Sequence, residues 1–486
     1  MSLSELTTWD HGPGAPGAAT AVAEREPVAS PAPDRTGGAP AAPGAERQAD
    51  LWPHTRRVQP WLVAAFIAML WLVPFNTIKL RFSGPVDMEL DRLLLPVLVG
   101  AWVVAQIFGG RNRPRLKMTA PHYAFGTFVL ICAMSIVVNV HVLNQTRELD
   151  EAIKQLLTIF AYLTFFVLMT SIVRPGEVRA FLKFTFILAI VASLGTIWEY
   201  NTNYNVFYDL SSKIFIPKLF VVPSTYQLGA VDEIGRRLIR GPAQHGLELT
   251  SMLAMALPIA VVGLIEAKKT RTRLGYALAM TLFLAAAIAT FRKTSIIAPV
   301  TAIAVLVFFR PRRLLRLAPL GLVIFVLVHV LSPGAFGSVL IQFNSHRLHS
   351  VSTVNDRTAD YDAVRPDVFL HPILGRGYGA YSEQRYRILD NQLLGYLVMI
   401  GVVGLLSYMA IMASVVAVAR RWIRGRDPTT ATPHLIAASA AVVFLVVSQL
   451  FDSMAFPHAP YVFLSLAALA AASTYPTERH DEVPPR

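Results

Sequence analysis

A single cysteine, Cys132, in a chain of 486 residues leaves no disulfide framework and no thiolate metal site. Charge is scarce as well. Only 15% of residues are charged against 54% apolar, and the mean hydropathy is +0.48, too little polarity for a soluble chain of this length. Most of it must therefore lie in lipid. The net charge is +13, yet no run of Lys or Arg is interleaved with aromatic residues, which excludes nucleic acid as a partner. The first fifty or so residues lack large apolar side chains and are rich in Ala, Pro and Gly. Residues 1–55 are therefore expected to form a disordered cytoplasmic tail. No basic start is followed by a short apolar stretch and a small-residue cleavage site, so no removable signal peptide is expected. Internal repeats between the two halves are also missing.

What the sequence does hold is a succession of long apolar runs. Scanned against the ~20 residues needed to cross a bilayer, they number about twelve. They lie near Trp61–Ile78, Leu93–Phe108, His122–Val140, Ile153–Val173, Phe181–Trp198, Leu247–Ile265, Tyr276–Thr290, Ser295–Phe309, Leu317–Leu331, Leu393–Ala419, Leu435–Phe451 and Tyr461–Ala472. The seventh and eighth could be one hairpin closing at Phe291–Thr294. Basic residues recur in every second connection: Arg56/Arg57, Arg111 to Lys117, Arg174 to Lys183, Lys268 to Arg273, Arg310 to Arg316 and Arg420 to Arg426. By the positive-inside rule those connections are cytoplasmic, and an even number of spans keeps both termini inside. The expectation is an all-α, multi-pass protein of the cell membrane, its membrane domain at 56–475 and a short tail at 476–486. Two long connections, about 199–246 and 332–392, then fall outside, and sites are commonly built on such loops.

The outward side carries arginines that orientation does not require: Arg236, Arg237 and Arg240, then Arg292 beside Lys293, then Arg347, Arg357, Arg365, Arg376, Arg385 and Arg387. Arginine suits phosphate oxygens because its planar fork binds them bidentately; the plainer alternative is a solvated basic loop. Arg292 and Lys293 sit in a turn too short to leave the membrane surface, where an ionisable pair needs a partner or a polar cavity. The stretch R-G-P-A-Q-H-G, Arg240 to Gly246, places a cation and His245 at a helix start, either as a capped turn or as an anion site.

In the larger loop, Asp360-Tyr-Asp362 invites a metal reading, against which stands a solvated acidic helix face. Gly375, Gly377 and Gly379 read as a tight turn, since neither a strand nor Lys-Ser/Thr accompanies them. His371 before Pro372 reads as structural. Asp390-Asn391 precedes the tenth span, where a carboxylate can cap a helix, or act as a general base if burial raises its pKa. Gly401 and Gly404 further along read as packing contacts between helices.

In this order the pieces resemble the O-antigen ligase and O-antigen polymerase superfamily of membrane glycosyltransferases. The resemblance rests on R-G-x-x-x-H before a span with Pro258, an Arg in the turn from Thr290 to Ser295, H-P-I-L-G-x-G-x-G from His371 to Gly379, and D-N-x-x-L from Asp390. It implies a GT-C-like helical fold, a polyprenyl-diphosphate-linked oligosaccharide donor, a glycan or lipid-glycan acceptor, and inverting transfer with no metal or other cofactor. The family pattern places diphosphate-binding arginines at positions matching Arg240, Arg292 and Arg357. From their placement, Asp390 and then His245 are the catalytic candidates, with Arg365, Arg376 and Asn391 as possible acceptor or loop contacts. Ligases of that superfamily usually carry His-Asn where this sequence has Asp390-Asn391. A transporter or flippase of a lipid-linked glycan is the alternative from another class, since it too would bind such a substrate with arginines.

Overall fold

The computed structural model describes residues 51–75, 78–81, 88–109, 113–215, 219–221, 238–315, 318–331, 352–381, 386, 389–424 and 428–474. The tail to residue 50, the C-terminal tail from 475, residues 332–351, and Arg236, Arg237, Arg347, Glu383, Arg385 and Arg387 lie outside them. Packing starts ahead of the expected domain start. Trp52 is buried and stacks on Phe181 with ring centroids 4.4 Å apart, and its N–H donates to Glu177 at 3.0 Å.

The described residues are mostly helical. In order, α1 is Val58–Leu72, α2 Leu90–Phe108, α3 Ala120–Val138, α4 Val140–Gln145, α5 Leu149–Ile172, α6 Val178–Thr202, α7 Val206–Ile214 and α8 Gly246–Glu266. Then follow α9 Thr270–Ala289, α10 Thr294–Phe309, α11 Pro311–Leu314, α12 Ala318–Leu331, α13 Ser352–Leu370, α14 Gln392–Arg424, α15 Pro428–Val447 and α16 His458–Ser473. Among the described residues the strands are two short pieces, β1 (Lys79–Leu80) and β2 (Phe220–Val221), paired antiparallel with Lys79 opposite Val221. Among the described residues, seven helical stretches are long and apolar enough to cross a membrane, and five shorter apolar helices accompany them. Each of the expected apolar runs overlaps one of these helices, seven of which reach the length of a span. The chain is an integral membrane protein.

Two kinds of helix explain how the bundle is built. Helix α2 leaves Val103, Val104, Ile107 and Phe108 exposed, which in lipid carries no penalty. Helices α8 and α16 are apolar on all sides and buried along nearly their whole length, the signature of helices at the centre of a large bundle. Around α8 pack α6, α9, α10, α15 and α16, while α14 packs on α3 and α15. Pro258, inside α8, is buried at the centre of this core. The contacts below bring the starts of α8, α10, α14 and α16 and the end of α1 together at one end of the bundle.

Helix α14 is broken at Gly401, which takes φ +65° and ψ −169°. A break at membrane depth leaves backbone groups that lipid cannot satisfy. The segment after α13 fills it. Val402 N–H donates to the Pro372 carbonyl at 2.9 Å and Val403 N–H to that of Ile373 at 3.3 Å, while Arg376 and Gly377 N–H donate to the Val398 and Met399 carbonyls at 3.0 Å each. From α3, Ser135 Oγ donates to the Leu374 carbonyl at 2.7 Å, and Asn139 Nδ2, just past the helix, reaches that of Gly375 at 3.3 Å. The glycines read from sequence as a turn are thus a plug in a broken helix, and Gly401 is the point of the break.

Candidate functional site

The turn before α8 is held from both sides by buried carboxylates. Gly241 takes φ +58°, and an added Cβ would stand 2.5 Å from Thr196 Oγ1, so only glycine fits after Arg240. Its N–H donates to Glu199 Oε2 at 2.7 Å, and its carbonyl accepts from Asn205 Nδ2 at 2.8 Å. Tyr208 Oη donates to the Ala243 carbonyl at 3.1 Å. On the other side Glu248, fully buried in the first turn of α8, accepts Gln244 N–H at 2.9 Å through Oε2. Its Oε1 accepts the His458 N–H at 2.9 Å and faces His458 Nδ1 at 2.8 Å, and His458 Nε2 stands 3.1 Å from the Val73 carbonyl. The backbone from Arg240 to Gly246 is therefore fixed by α6, α7, α8 and α16.

Gly246 brings this turn against the α9–α10 connection. A Cβ there would meet the Ile239 carbonyl at 2.9 Å and Thr290 Cβ at 3.1 Å. Thr250 and Thr290 hydroxyls bridge the two helices at 3.1 Å. The connection itself is tight: Phe291 takes φ +57°, a left-handed conformation that a bulky residue seldom adopts, and Ser295 Oγ donates to the Arg292 carbonyl at 2.6 Å. The outcome is that Arg292 Nη2 lies 3.4 Å from His245 Nε2, with both side chains half-buried. Lys293 is half-buried beside them.

The hydrogen bonds of His245 set its proton. Nδ1 accepts the Leu247 N–H at 3.2 Å, so the ring caps α8 and its neutral form carries hydrogen on Nε2. Burial first, then the charges of Arg292 and Arg240, pull the ring down to about 4, with Glu248 acting in the opposite direction. At neutral pH His245 is therefore an uncharged donor. With hydrogen on Nε2, this nitrogen and Arg292 Nη2 are two donors 3.4 Å apart, and an anionic oxygen accepting from both relieves that pairing. Burial also lowers Arg240, opposed by Tyr208 and Glu199, though an arginine remains a cation.

A histidine held below its ordinary 6.5 takes up a proton later than in the unfolded chain. It contributes stability that is present above 6.5 and lost as pH falls toward about 4. Nitrogen-15 spectra of labelled histidine should accordingly show His245 unchanged from pH 8 to pH 5. A titration midpoint near 6.5, assigned by its loss in His245→Gln, would contradict this environment.

The other expected residues fall on the start of α14 and on α13. Asn391 caps α14, its Oδ1 accepting Leu393 and Leu394 N–H at 3.0 and 3.2 Å, and its Nδ2 reaches Tyr361 Oη at 3.4 Å. The cap is thus Asn391, which leaves the Asp390 carboxylate exposed before the helix. Gln392 ties this rim to the first site: its N–H donates to the Ser448 carbonyl at 2.9 Å and its Oε1 accepts Met454 N–H at 2.8 Å. Phe456, two residues on, packs on His245 with centroids 5.7 Å apart. Arg376 is engaged within the loop, 3.1 Å from Asp367 and 2.6 Å from Tyr386 Oη. Arg365 is exposed on α13 with its guanidinium 5.8 Å from the Phe369 ring centroid. Arg357 lies on α13, but its side chain is outside the described residues. Asp360 is buried and Asp362 exposed, as positions two apart on a helix must diverge. Among the described residues no three of His, Cys, Asp or Glu gather as metal ligands.

Sequence reasoning missed Glu199, Glu248 and His458. The signal was available, because ionisable residues inside or at the mouth of apolar spans are candidates by default.

A family model described as O-antigen ligase matches residues 278–409, a stretch that runs from α9 into α14 and includes Arg292, Arg376 and Asp390. That stretch is similar to the O-antigen ligase family, which supports kinship with the O-antigen ligase and polymerase superfamily. No curated protein matches the chain.

Proposed function

We propose that this chain, as the bearer of a segment similar to the O-antigen ligase family, is a membrane glycosyltransferase of surface polysaccharide assembly. It transfers or polymerises glycan from a polyprenyl-diphosphate-linked donor at the outer face, with all twelve helices crossing and both termini cytoplasmic. The observation that carries this reading is the meeting of Arg292 with the uncharged donor His245, beside Arg240, at a half-buried helix mouth.

In the proposed reaction an acceptor hydroxyl attacks the anomeric carbon from the face opposite the leaving group. The bond to the diphosphate oxygen breaks, and polyprenyl diphosphate departs with inversion at that carbon. Arg240, Arg292 and the His245 Nε2–H hold the charge that grows on the leaving diphosphate, with Arg357 as a further contact. Fixed donors in a poorly hydrated site are usually the largest single contribution to such a rate. With the arginines in that role, the proposed transfer is metal-independent.

Asp390 is assigned to the acceptor, as base or as orienting group. Asp390→Asn keeps shape and removes basicity, so a loss of ~10²–10⁴-fold with donor binding unchanged marks a base. A loss of only a few-fold assigns orientation instead.

Transport of a lipid-linked glycan is favoured by one feature, the broken helix α14, since transporters use discontinuous helices. Here loop backbone fills the break. Deleting the gene and sizing the surface glycan tests the choice: loss of chain length points to polymerase, and long chains left on carrier lipid to ligase. Single carrier-linked units trapped on the cytoplasmic face would instead support transport.

A further inference from the structure

At the end of α14 away from Asp390 lies a groove of about 780 Å³ between α14 and α15. Its wall on α14 follows helical spacing: Leu406, Met409, Ala410, Ala413 and Ala417 are all exposed on one face. The alanines keep the floor low. Val442 and Leu445 of α15 form the opposite side. At its mouth the groove is lined by Arg420, Arg421 and Arg424, all exposed.

Two ordinary explanations account for the arginines and neither for the groove. Cations are favoured at a helix C-terminus, and positive residues mark the cytoplasmic side. Neither requires that the same three side chains close an apolar channel. None of the three forms an ion pair among the described residues, so three positive charges stand at the end of a greasy slot of ligand-site size. An occupant must be apolar along its length and anionic at one end.

We propose that this groove binds one acidic phospholipid of the cytoplasmic leaflet, an acyl chain lying along α14 and the phosphate held by Arg420, Arg421 and Arg424. The guanidinium fork matches phosphodiester oxygens, and the same leaflet supplies anionic headgroups at that depth. A zwitterionic lipid fits the slot but brings its own cation to the mouth. The site is at the far end of α14 from the proposed donor site and does not depend on the transferase reading.

The test uses full-length protein in nanodiscs containing phosphatidylglycerol and phosphatidylcholine, with retained lipid measured by native mass spectrometry. Phosphatidylglycerol should be retained roughly tenfold over phosphatidylcholine, because the arginines attract its anionic headgroup. R420Q/R421Q/R424Q should abolish that preference. Ala413→Trp, which fills the groove and keeps the charges, should lose retention of both lipids. Equal retention of the two lipids by the unaltered protein overturns the proposal without recourse to variants. So does a preference that survives the triple substitution, retention unchanged in Ala413→Trp, or a dimer whose cross-links bury the groove.

Discussion

Arg292→Ala should lower glycan transfer by roughly 10²–10³-fold, the usual cost of removing one fixed donor from a developing anion. The side chain is placed by contacts that do not involve its own head: the left-handed Phe291, the Ser295 hydroxyl on the Arg292 carbonyl, and the approach of Gly246 to Thr290. The turn therefore stays formed in the variant. Arg292→Lys restores charge but not the planar fork, so most of the loss should remain. Donor binding should fall with it, because the diphosphate is present in the ground state as well. Full transfer in Arg292→Lys, at normal expression, would remove Arg292 from the donor site. His245→Ala should have a smaller effect, since it deletes a neutral donor and leaves the cations.

Gly375→Ala should be strongly destabilising. Its Cβ would stand 2.2 Å from the Met399 carbonyl carbon and 2.3 Å from its oxygen, and backbone cannot step aside as a side chain can. Gly375 also takes φ +66°, which costs an L-residue about 1–2 kcal/mol before any clash. Relief requires the plug to leave the break in α14. That strips four backbone bonds, Val402 to Pro372, Val403 to Ile373, Arg376 to Val398 and Gly377 to Met399, at about 1–3 kcal/mol for each buried group left unmade. The sum is on the order of 5 kcal/mol or more, as large as the stability of many domains. Size-exclusion profiles after heating should show the variant aggregating about five degrees or more below the unaltered protein. A midpoint within two degrees would mean that the plug is not part of the folded core.

The helices were legible because lipid imposes one rule on every span, apolar side chains over a fixed length, and composition reports that rule directly. Each expected run from Trp61 to Ala472 overlaps an apolar helix, although the first and the eleventh run past their helix ends. Of the site, Arg240, His245 and Arg292 were legible as residue types at helix mouths. Their meeting was not, for it depends on Gly246 fitting against Thr290, a contact 44 positions apart in sequence. The supports were harder still. Glu199 and Glu248 accept backbone N–H groups of the Arg240–Gly246 turn and His458 bonds Glu248 in turn, and local spacing carries no trace of the bonds from Glu199 to Gly241 or from His458 to Glu248. Gly375 and Gly401 illustrate the same limit: a turn and a packing contact are what glycine spacing suggests, whereas the structure joins the two as plug and break. At Asp390-Asn391 sequence offered a cap or a base, and the structure divides the pair by giving the cap to Asn391.

The central claim is chemical, that a bond to a lipid diphosphate is broken at the Arg240, His245 and Arg292 mouth. Its most direct test is purified full-length protein in vesicles with a polyprenyl-diphosphate-linked oligosaccharide and a glycan acceptor, the products being resolved by mass. The account predicts a lengthened acceptor and free polyprenyl diphosphate in equal amounts, both missing with Arg292→Ala. Donor recovered intact on the opposite leaflet, with no lengthened acceptor, would contradict it.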